Sequence, residues 1–117
     1  MSIQIVARQE FRVGEQVVIQ GRAPAGVFSA VFEDDGETGY FYALDTSIES
    51  QPILDAVHIY NAESVPDKDK PTVVEIGWSE DNTKVVLLIN GCPHTAFDFS
   101  ARQGFYRIGT PDQRNES

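Results

Sequence analysis

The segment Glu33-Asp34-Asp35-Gly36-Glu37 holds four carboxylates and is the sharpest polar feature of the chain. Calcium needs about six to eight oxygen ligands. This segment lacks the alternating acidic positions and the terminal glutamate of a calcium loop. We therefore interpret it first as a solvated turn and second as an acidic contact patch, and we predict neither a metal site nor a cofactor.

His58 and His94 are the only histidines and could supply a general base. A histidine base needs an orienting group and a substrate cleft, and Asp55 is the carboxylate near His58 in sequence. In a strand, residues three apart point to opposite faces of the sheet, which makes this pairing awkward. Asp55, His58 and His94 therefore define an alternative, a ligand-binding or enzymatic cleft, while packed histidines are the simpler interpretation.

Cys92 is the single cysteine, so the chain can form neither an intrachain disulfide nor a cysteine-based zinc site. With His94 it could form a thiolate pair, but no third orienting group accompanies them. Glycine-rich phosphate loops and dinucleotide fingerprints are missing from the sequence. These observations predict no catalytic residue and favour a non-enzymatic protein.

The charge balance is strongly acidic, with 18 Asp and Glu against nine Lys and Arg and a formal net charge of −9. Such a surface repels phosphate backbones and anionic lipid headgroups, so we expect no nucleic acid or membrane partner. A basic protein is the compatible partner. The stretch Met1–Arg8 does not read as a signal peptide and no apolar run approaches the roughly 20 residues of a membrane helix, so we expect a cytoplasmic location.

The length of 117 residues predicts one domain. We place a single antiparallel β domain at residues 1–109 and a frayed C-terminal tail at 110–117. The fold class we predict is mainly β, an antiparallel meander or sandwich of about seven strands with at most one short helix. The polar stretch Glu63–Pro71 reads as a loop between two strand-rich halves.

In the second half, Val73–Ser79 and Lys84–Ile89 read as strands that flank a turn at Asp81-Asn82. Asn90-Gly91 follows as the strongest short hairpin signal in the chain. It leads into a strand in which Pro93 cannot donate to a ladder, and this predicts a sheet edge.

These turns define a register in which Ile76 opposes Leu87 and Leu87 opposes His94. One face of the predicted sheet then forms the core, because a slip of one residue would invert every assignment. The predicted core face carries Val74, Ile76, Trp78, Val85, Leu87, Ile89, Cys92, His94 and Ala96.

In the first half, Val27–Glu33 and Gly39–Asp45 flank a turn predicted at Asp35-Gly36. Both faces of this hairpin are apolar, so it is either covered by layers on both sides or its tyrosine face meets a partner. One face carries Phe28, Ala30, Phe32, Phe41 and Ala43. The other carries Val27, Val31, Tyr40, Tyr42 and Leu44.

Elsewhere the pattern is weaker. Residues 53–61 fit either a helix or a strand, because periodicity cannot distinguish the two in short runs. We favour a helical turn at Pro52–Asp55, helped by the capping-box form of Thr46–Glu49, and then a strand to Asn61. Shorter strands are predicted at Ile3–Arg8, Gln16–Gln20 and Phe105–Ile108.

Four strings of the sequence resemble a family of small bacterial proteins classed as a domain of unknown function. They are VFEDDGETGYFYA (31–43), ILDAVHIYN (53–61), WSED (78–81) and LING (88–91). The resemblance covers roughly residues 25 to 108 and implies a compact bacterial cytoplasmic domain. The family has no established activity and supplies no functional residues. In size and acidity the chain is more loosely similar to immunity proteins, which neutralise basic toxin domains.

Taken together, the sequence favours a non-enzymatic domain that binds a basic protein partner. The predicted contact residues are Glu33, Asp34, Asp35, Glu37, Tyr40 and Tyr42. A homodimer through the tyrosine face is compatible with this function and with the histidine cleft.

Overall fold

The computed structural model describes residues 3–66 and 69–100, which form eight β-strands and one short 3-10 turn. The mainly antiparallel β fold is therefore confirmed. The predicted strand at Phe105–Ile108 and the predicted tail at 110–117 lie outside these residues. The strands are β1 (Ile3–Phe11), β2 (Val17–Arg22), β3 (Phe28–Asp34), β4 (Thr38–Asp45), β5 (Ile53–Asn61), β6 (Thr72–Ser79), β7 (Lys84–Ile89) and β8 (Cys92–Asp98), and the 3-10 turn is Ala62–Ser64.

The strands form two four-stranded sheets. The first sheet has the order β1-β6-β7-β8, and the second sheet runs β2-β3-β4-β5. The first strand therefore pairs antiparallel with β6, from Ile3 opposite Ser79 to Phe11 opposite Thr72. The predicted division into two halves holds for β2–β5 and β6–β8, while β1 joins the sheet of the second half.

The core lies between the two sheets and is rich in aromatic side chains. Phe41 of the second sheet stacks on Phe97 of the first, with ring centroids 5.3 Å apart. The indole Nε1 of Trp78 donates a hydrogen bond of 3.1 Å to the Gly21 carbonyl in the other sheet. The large side chains that are almost fully buried are Trp78, Phe32, Phe41, Phe97, Phe99, Ile76, Leu87, Val74 and Val85.

The hairpin β3–β4 has the predicted faces, because Ala30, Phe32, Phe41 and Ala43 are all fully buried. Its turn lies one residue later than predicted, since Asp34 pairs with Gly39 and the Asp35 amide bonds to the Thr38 carbonyl at 3.1 Å. Gly36 then occupies the first central position of the turn with φ of 103°. The cross-strand register shifts by two residues, which preserves every face assignment.

The hairpins of the first sheet follow the predicted register up to Leu87. Ile76 pairs with Leu87 and Trp78 with Val85, and the Asn90-Gly91 turn has positive φ at both residues. The prediction that His94 opposes Leu87 is wrong, because a bulge inserts His94 and Leu87 pairs with Thr95. The extra residue reverses the face of everything that follows it.

The predicted core positions His94 and Ala96 are therefore only partly buried, and Thr95 and Phe97 are buried in their place. Cys92, which was also predicted in the core, lies before the bulge and is exposed. Among the strands of residues 3–66 and 69–100, β8 is at the end of the first sheet, so Pro93 lies on an edge strand of this part of the chain, as predicted.

The helical turn predicted at Pro52–Asp55 is wrong, because β5 begins at Ile53 and continues as a strand to Asn61. Pairing with β4 satisfies its backbone, and the Pro52 carbonyl accepts a hydrogen bond of 2.8 Å from the Asp45 amide. The carboxylate of Asp45 accepts hydrogen bonds from both the amide and the hydroxyl of Ser47. These bonds hold the segment in a turn and so compete with the capping box predicted at Thr46–Glu49.

The β6–β7 turn contains a carboxylate with a strongly perturbed titration. Asp81 accepts hydrogen bonds from the hydroxyls of Ser79 and Thr83, each at 2.7 Å, and from the Thr83 amide at 3.1 Å. These bonds, the Ser79 bond foremost, lower the pKa of Asp81 from 3.8 to about 2.

We expect Ser79→Ala to raise the pKa of Asp81 toward 3.8, as measured by NMR titration of its carboxyl carbon. Because the folded pKa is depressed, the bonds stabilise the fold fully above pH 3.8, and their contribution is lost as the pH falls through about 2. A pKa that stays near 2 in the variant would contradict the assigned cause.

Candidate functional site

The outer face of the second sheet carries an open group of aromatic and apolar side chains. Phe32 and Phe41 point inward to the core, so the residues that alternate with them point away from it. Val18 is 65% exposed and His58 is also exposed, so this surface is accessible. We call it the aromatic face, and it consists of Val18, Val31, Glu33, Tyr40, Tyr42 and His58.

Two tyrosines form the centre of the aromatic face. Tyr40 and Tyr42 follow each other on the same side of β4, and their rings lie 6.0 Å apart at an interplanar angle of 16°. Tyr40 pairs with His58 on β5, and the His58 ring meets it edge-on with centroids 5.4 Å apart. The Nε2 atom of His58 lies 2.9 Å from Oδ1 of Asn61. The contacts orient three flat rings on one surface.

Tyr42 connects the rings to a carboxylate. Its hydroxyl donates a hydrogen bond of 3.2 Å to Glu33 on the neighbouring strand. Desolvation, followed by this bond, raises the pKa of the Tyr42 phenol above its ordinary value of 10.0. The phenol therefore stays protonated at neutral pH and holds Glu33 beside its ring.

The β3–β4 turn brings further negative charge to one end of the aromatic face. The Asp35 carboxylate accepts 2.9 Å hydrogen bonds from the amides of Glu37 and Thr38. These bonds, the Thr38 bond first, lower the pKa of Asp35. The Glu37 side chain is exposed, and its carbonyl accepts from the Ala62 amide at 2.7 Å. We call Asp35 and Glu37 the acidic tip.

Beside the acidic tip lies a shallow concavity of about 450 Å³. Its rim presents the exposed carboxylates of Glu37 and Glu63 from two different segments. It is lined by Gly36, Glu37, Thr38, Asn61, Ala62 and Glu63. The hydrogen bond between His58 and Asn61 joins this concavity to the aromatic face.

Asp34 does not belong to the contact surface that the sequence predicts for it, because it is 1% exposed. Its carboxylate accepts hydrogen bonds from the amides of Gly14 and Gly36 at 2.8 Å and from the Tyr60 hydroxyl at 2.6 Å. Burial is the larger cause that raises the pKa of Tyr60, and its hydrogen bond to Asp34 is the second. Asp34 therefore holds three segments together instead of facing a partner.

The residues of the alternative cleft do not converge. Asp55 pairs with the buried Ala43 on the inner side of the second sheet, whereas His58 lies on its outer side. His94 belongs to the first sheet and lines a separate cavity of about 620 Å³. That cavity is bounded by Ile59, Tyr60 and residues of the β5–β6 connection, without His58 or Asp55.

Within residues 3–66 and 69–100, no three His, Cys, Asp or Glu side chains are arranged to hold a metal ion. The same residues contain no helix of the length and apolarity that crossing a membrane requires.

Sequence patterns missed two members of the aromatic face. Val18 could have been found from alternation, since its neighbour Ile19 is buried in the core. The sequence places His58 in the alternative cleft instead. Its position beside Tyr40 follows only from the complete β5 strand and the bulge in its pairing with β4. The tyrosines and Glu33 occupy the predicted outer surface.

The geometry defines a two-sheet antiparallel β domain with an aromatic outer face and an acidic tip. The family described as "Uncharacterized protein conserved in bacteria (DUF2251)" matches residues 11–117, and the chain belongs to that family. This confirms the family resemblance; the likeness to immunity proteins stays an expectation.

A curated relative from Haemophilus influenzae, an uncharacterized protein, is 49% identical over 78 residues. The match covers 67% of this chain and 48% of the relative, so the chain spans about half the length of that protein. No solved structure matches the chain.

Proposed function

We propose that this protein is a non-enzymatic interaction domain that binds a basic protein partner through the aromatic face and the acidic tip. The observation that carries the proposal is the pair of stacked, half-buried tyrosines, Tyr40 and Tyr42, held beside Glu33 on an accessible sheet surface. Large rigid rings with a polar end are typical anchors of protein interfaces.

Charge supports a basic partner. The net charge is −9, and Glu33, Asp35 and Glu37 lie along one end of the aromatic face. Opposite charge on a partner would raise the association rate by steering the encounter, while the tyrosines would supply the contact area. A toxin domain of the kind that immunity proteins neutralise is one partner with this chemistry.

The geometry favours this function over an enzymatic one. General acid–base catalysis needs its groups within hydrogen-bond reach of one substrate. His58 and Asp55 lie on opposite sides of the second sheet, and His94 lies on the other sheet. The shared cleft that the alternative requires is therefore missing from the described part of the chain.

The proposal is tested by quantitative affinity capture from extract of a bacterium that encodes a family member. The wild-type protein is compared with the double variant Tyr40→Ala/Tyr42→Ala. We expect at least one basic protein to be enriched by the wild type and to fall about tenfold or more with the variant, since central tyrosines often dominate binding energy.

Tyr42→Phe is the matched control, because it removes only the hydroxyl bonded to Glu33 and keeps the ring. We expect it to retain most of the captured partner. Equal capture by the wild type and the double variant, with both folded by circular dichroism, would rule out the aromatic face as the binding surface.

A further inference from the structure

The cavity that His94 lines is formed by residues of both sheets and has a volume of about 620 Å³. Among the described strands, β5 is at the end of the second sheet and β8 is at the end of the first. Ile59 and Tyr60 line the cavity from β5, and His94 lines it from β8. Its volume lies within the range of about 300–1,000 Å³ that is typical of small-molecule sites. We call it the edge cavity.

Two β-bulges direct side chains to the edge cavity. In the pairing of β4 with β5 the register shifts by one residue, and Ile59 is the inserted residue. In the pairing of β7 with β8 the inserted residue is His94. Both inserted residues line the edge cavity. Because bulges at sheet edges re-aim side chains and are common next to active sites, their convergence on one cavity points to a binding site.

The inner wall of the edge cavity is apolar and fixed in place. Ile59 and Ile89 are partly buried and pack against the core. The Tyr60 ring lies over Gly39, where a Cβ atom would come within 2.7 Å of Cζ of the ring. The Tyr60 hydroxyl donates to Asp34 at 2.6 Å, which holds the ring in this position. A wall that is already ordered lowers the entropic cost of binding a ligand.

The rim of the edge cavity carries a cation and hydrogen-bond donors. Lys70 lines the cavity and is exposed. The backbone beside it is held in place, since Nε of Arg12 donates a hydrogen bond of 2.8 Å to the Asp69 carbonyl. Asn90 also lines the rim, and its Oδ1 atom accepts from the Val73 amide at 2.9 Å. This bond orients the Asn90 side chain and leaves its Nδ2 atom as a donor.

We propose that the edge cavity binds a small organic acid, with the apolar body of the ligand against the inner wall and its carboxylate at Lys70. Among the described residues that line the cavity, Lys70 carries a full positive charge and none is Asp or Glu. The net charge of −9 opposes an anion. Charges farther away than about 8 Å are largely screened at physiological salt, however, so a direct contact with the Lys70 ammonium counts for more.

This site differs from the histidine cleft that the sequence suggests. His94 belongs to both, but Asp55 and His58 do not line the edge cavity. The proposal is one of binding, and it assigns no reaction to His94.

The test is the binding of small probes to the full chain, followed by NMR of the backbone amides. In the wild type we expect phenylacetate or the linear acid octanoate to bind saturably, with a Kd of about 1 mM or below. The largest shifts should fall on residues of the edge cavity, such as Ile59, Lys70 and His94. The neutral isostere phenylacetamide should bind about threefold more weakly than phenylacetate, since an exposed ion pair makes a modest contribution.

Lys70→Met tests the role of the cation, because it removes the charge and keeps most of the aliphatic stem. We expect it to weaken phenylacetate about threefold and to leave phenylacetamide unchanged. Lys70 is exposed, so the variant should fold. Lys84→Met is the matched control, because it changes the net charge equally at a residue of β7 that does not line the edge cavity. It should leave the affinity for both probes unchanged.

Three results would overturn the proposal. They are shifts that do not saturate or that lie outside the edge cavity, phenylacetamide that binds as tightly as phenylacetate, and a Lys70→Met variant that affects both probes alike. The second result would assign the cavity to a neutral ligand. The experiment contains no protein partner, so its failure and the failure of the proposed function are distinguishable.

Discussion

Replacing Asp34 with alanine is expected to lower the free energy of unfolding by about 3–5 kcal/mol. The carboxylate is 1% exposed and accepts three hydrogen bonds, from Gly14, Gly36 and Tyr60. Removing it leaves two amides and a phenol without their acceptor in a part-buried region. Urea denaturation monitored by the fluorescence of Trp78 measures the change.

Asp34→Asn sharpens this prediction. Oδ1 accepts from the Gly36 amide, and Oδ2 accepts from the Gly14 amide and the Tyr60 hydroxyl. An amide nitrogen at either position would face a donor. We therefore expect Asp34→Asn to lower the free energy of unfolding by more than half of the amount that Asp34→Ala lowers it. Glu37→Ala, an exposed carboxylate of the same turn, is the control and should change stability by no more than about 0.5 kcal/mol. An Asp34→Asn variant as stable as the wild type would refute the role assigned to the carboxylate.

Gly21→Val is expected to destabilise the domain by about 3 kcal/mol, because the two sheets approach closely at this residue. A Cβ atom at Gly21 would lie 2.6 Å from Cγ2 and 2.9 Å from Cβ of Ile76, and 3.1 Å from Cγ2 of Val6. A side chain would also push the Gly21 carbonyl away from the Trp78 indole that donates to it. Thermal and urea unfolding report the loss.

A double-mutant cycle identifies the cause. Ile76→Ala removes the Cγ2 atom that a Cβ at position 21 would meet, so Gly21→Ala should cost at least about 1 kcal/mol less in the Ile76→Ala background. Arg22→Val, on the adjacent exposed position, is the control and should stay within about 0.5 kcal/mol of the wild type. Additive effects of Gly21→Ala and Ile76→Ala would contradict Cγ2 of Ile76 as the cause of the loss at Gly21.

Local signals predicted the hairpins well. Turn residues and alternation identified the inward faces of β3 and β4, and the Asn90-Gly91 turn formed as expected. The pairing of β1 with β6 could not be predicted in this way, because the two strands are far apart in sequence and no short turn connects them. The missed bulge at His94 has a similar origin, since one unpaired residue leaves little trace in a pattern of period two.

The candidate site was predicted in part. Alternation placed Tyr40 and Tyr42 together on the outer face of the hairpin. The same alternation places Asp34 on the side of Phe32, inside the domain, but its clustering with exposed carboxylates obscured this. Recognising its burial also needs Tyr60, which reaches it from β5.

The measurement that tests the central proposal most directly is the association kinetics of the captured basic partner with three forms of the protein. These are the wild type, Glu37→Lys at the acidic tip and Glu80→Lys in the β6–β7 turn. Both variants change the net charge equally, and both side chains are exposed. The two turns lie at opposite ends of the sandwich. The β3–β4 turn follows Asp34, which pairs with the first residue of β2, Val17. The β6–β7 turn follows Ser79, next to Trp78, whose indole contacts Gly21 near the other end of β2.

We predict that Glu37→Lys lowers the association rate about tenfold at low salt, that added salt removes most of this difference, and that Glu80→Lys has a much smaller effect. Equal rates for the wild type and Glu37→Lys, or equal losses in the two variants, would contradict binding at the acidic tip.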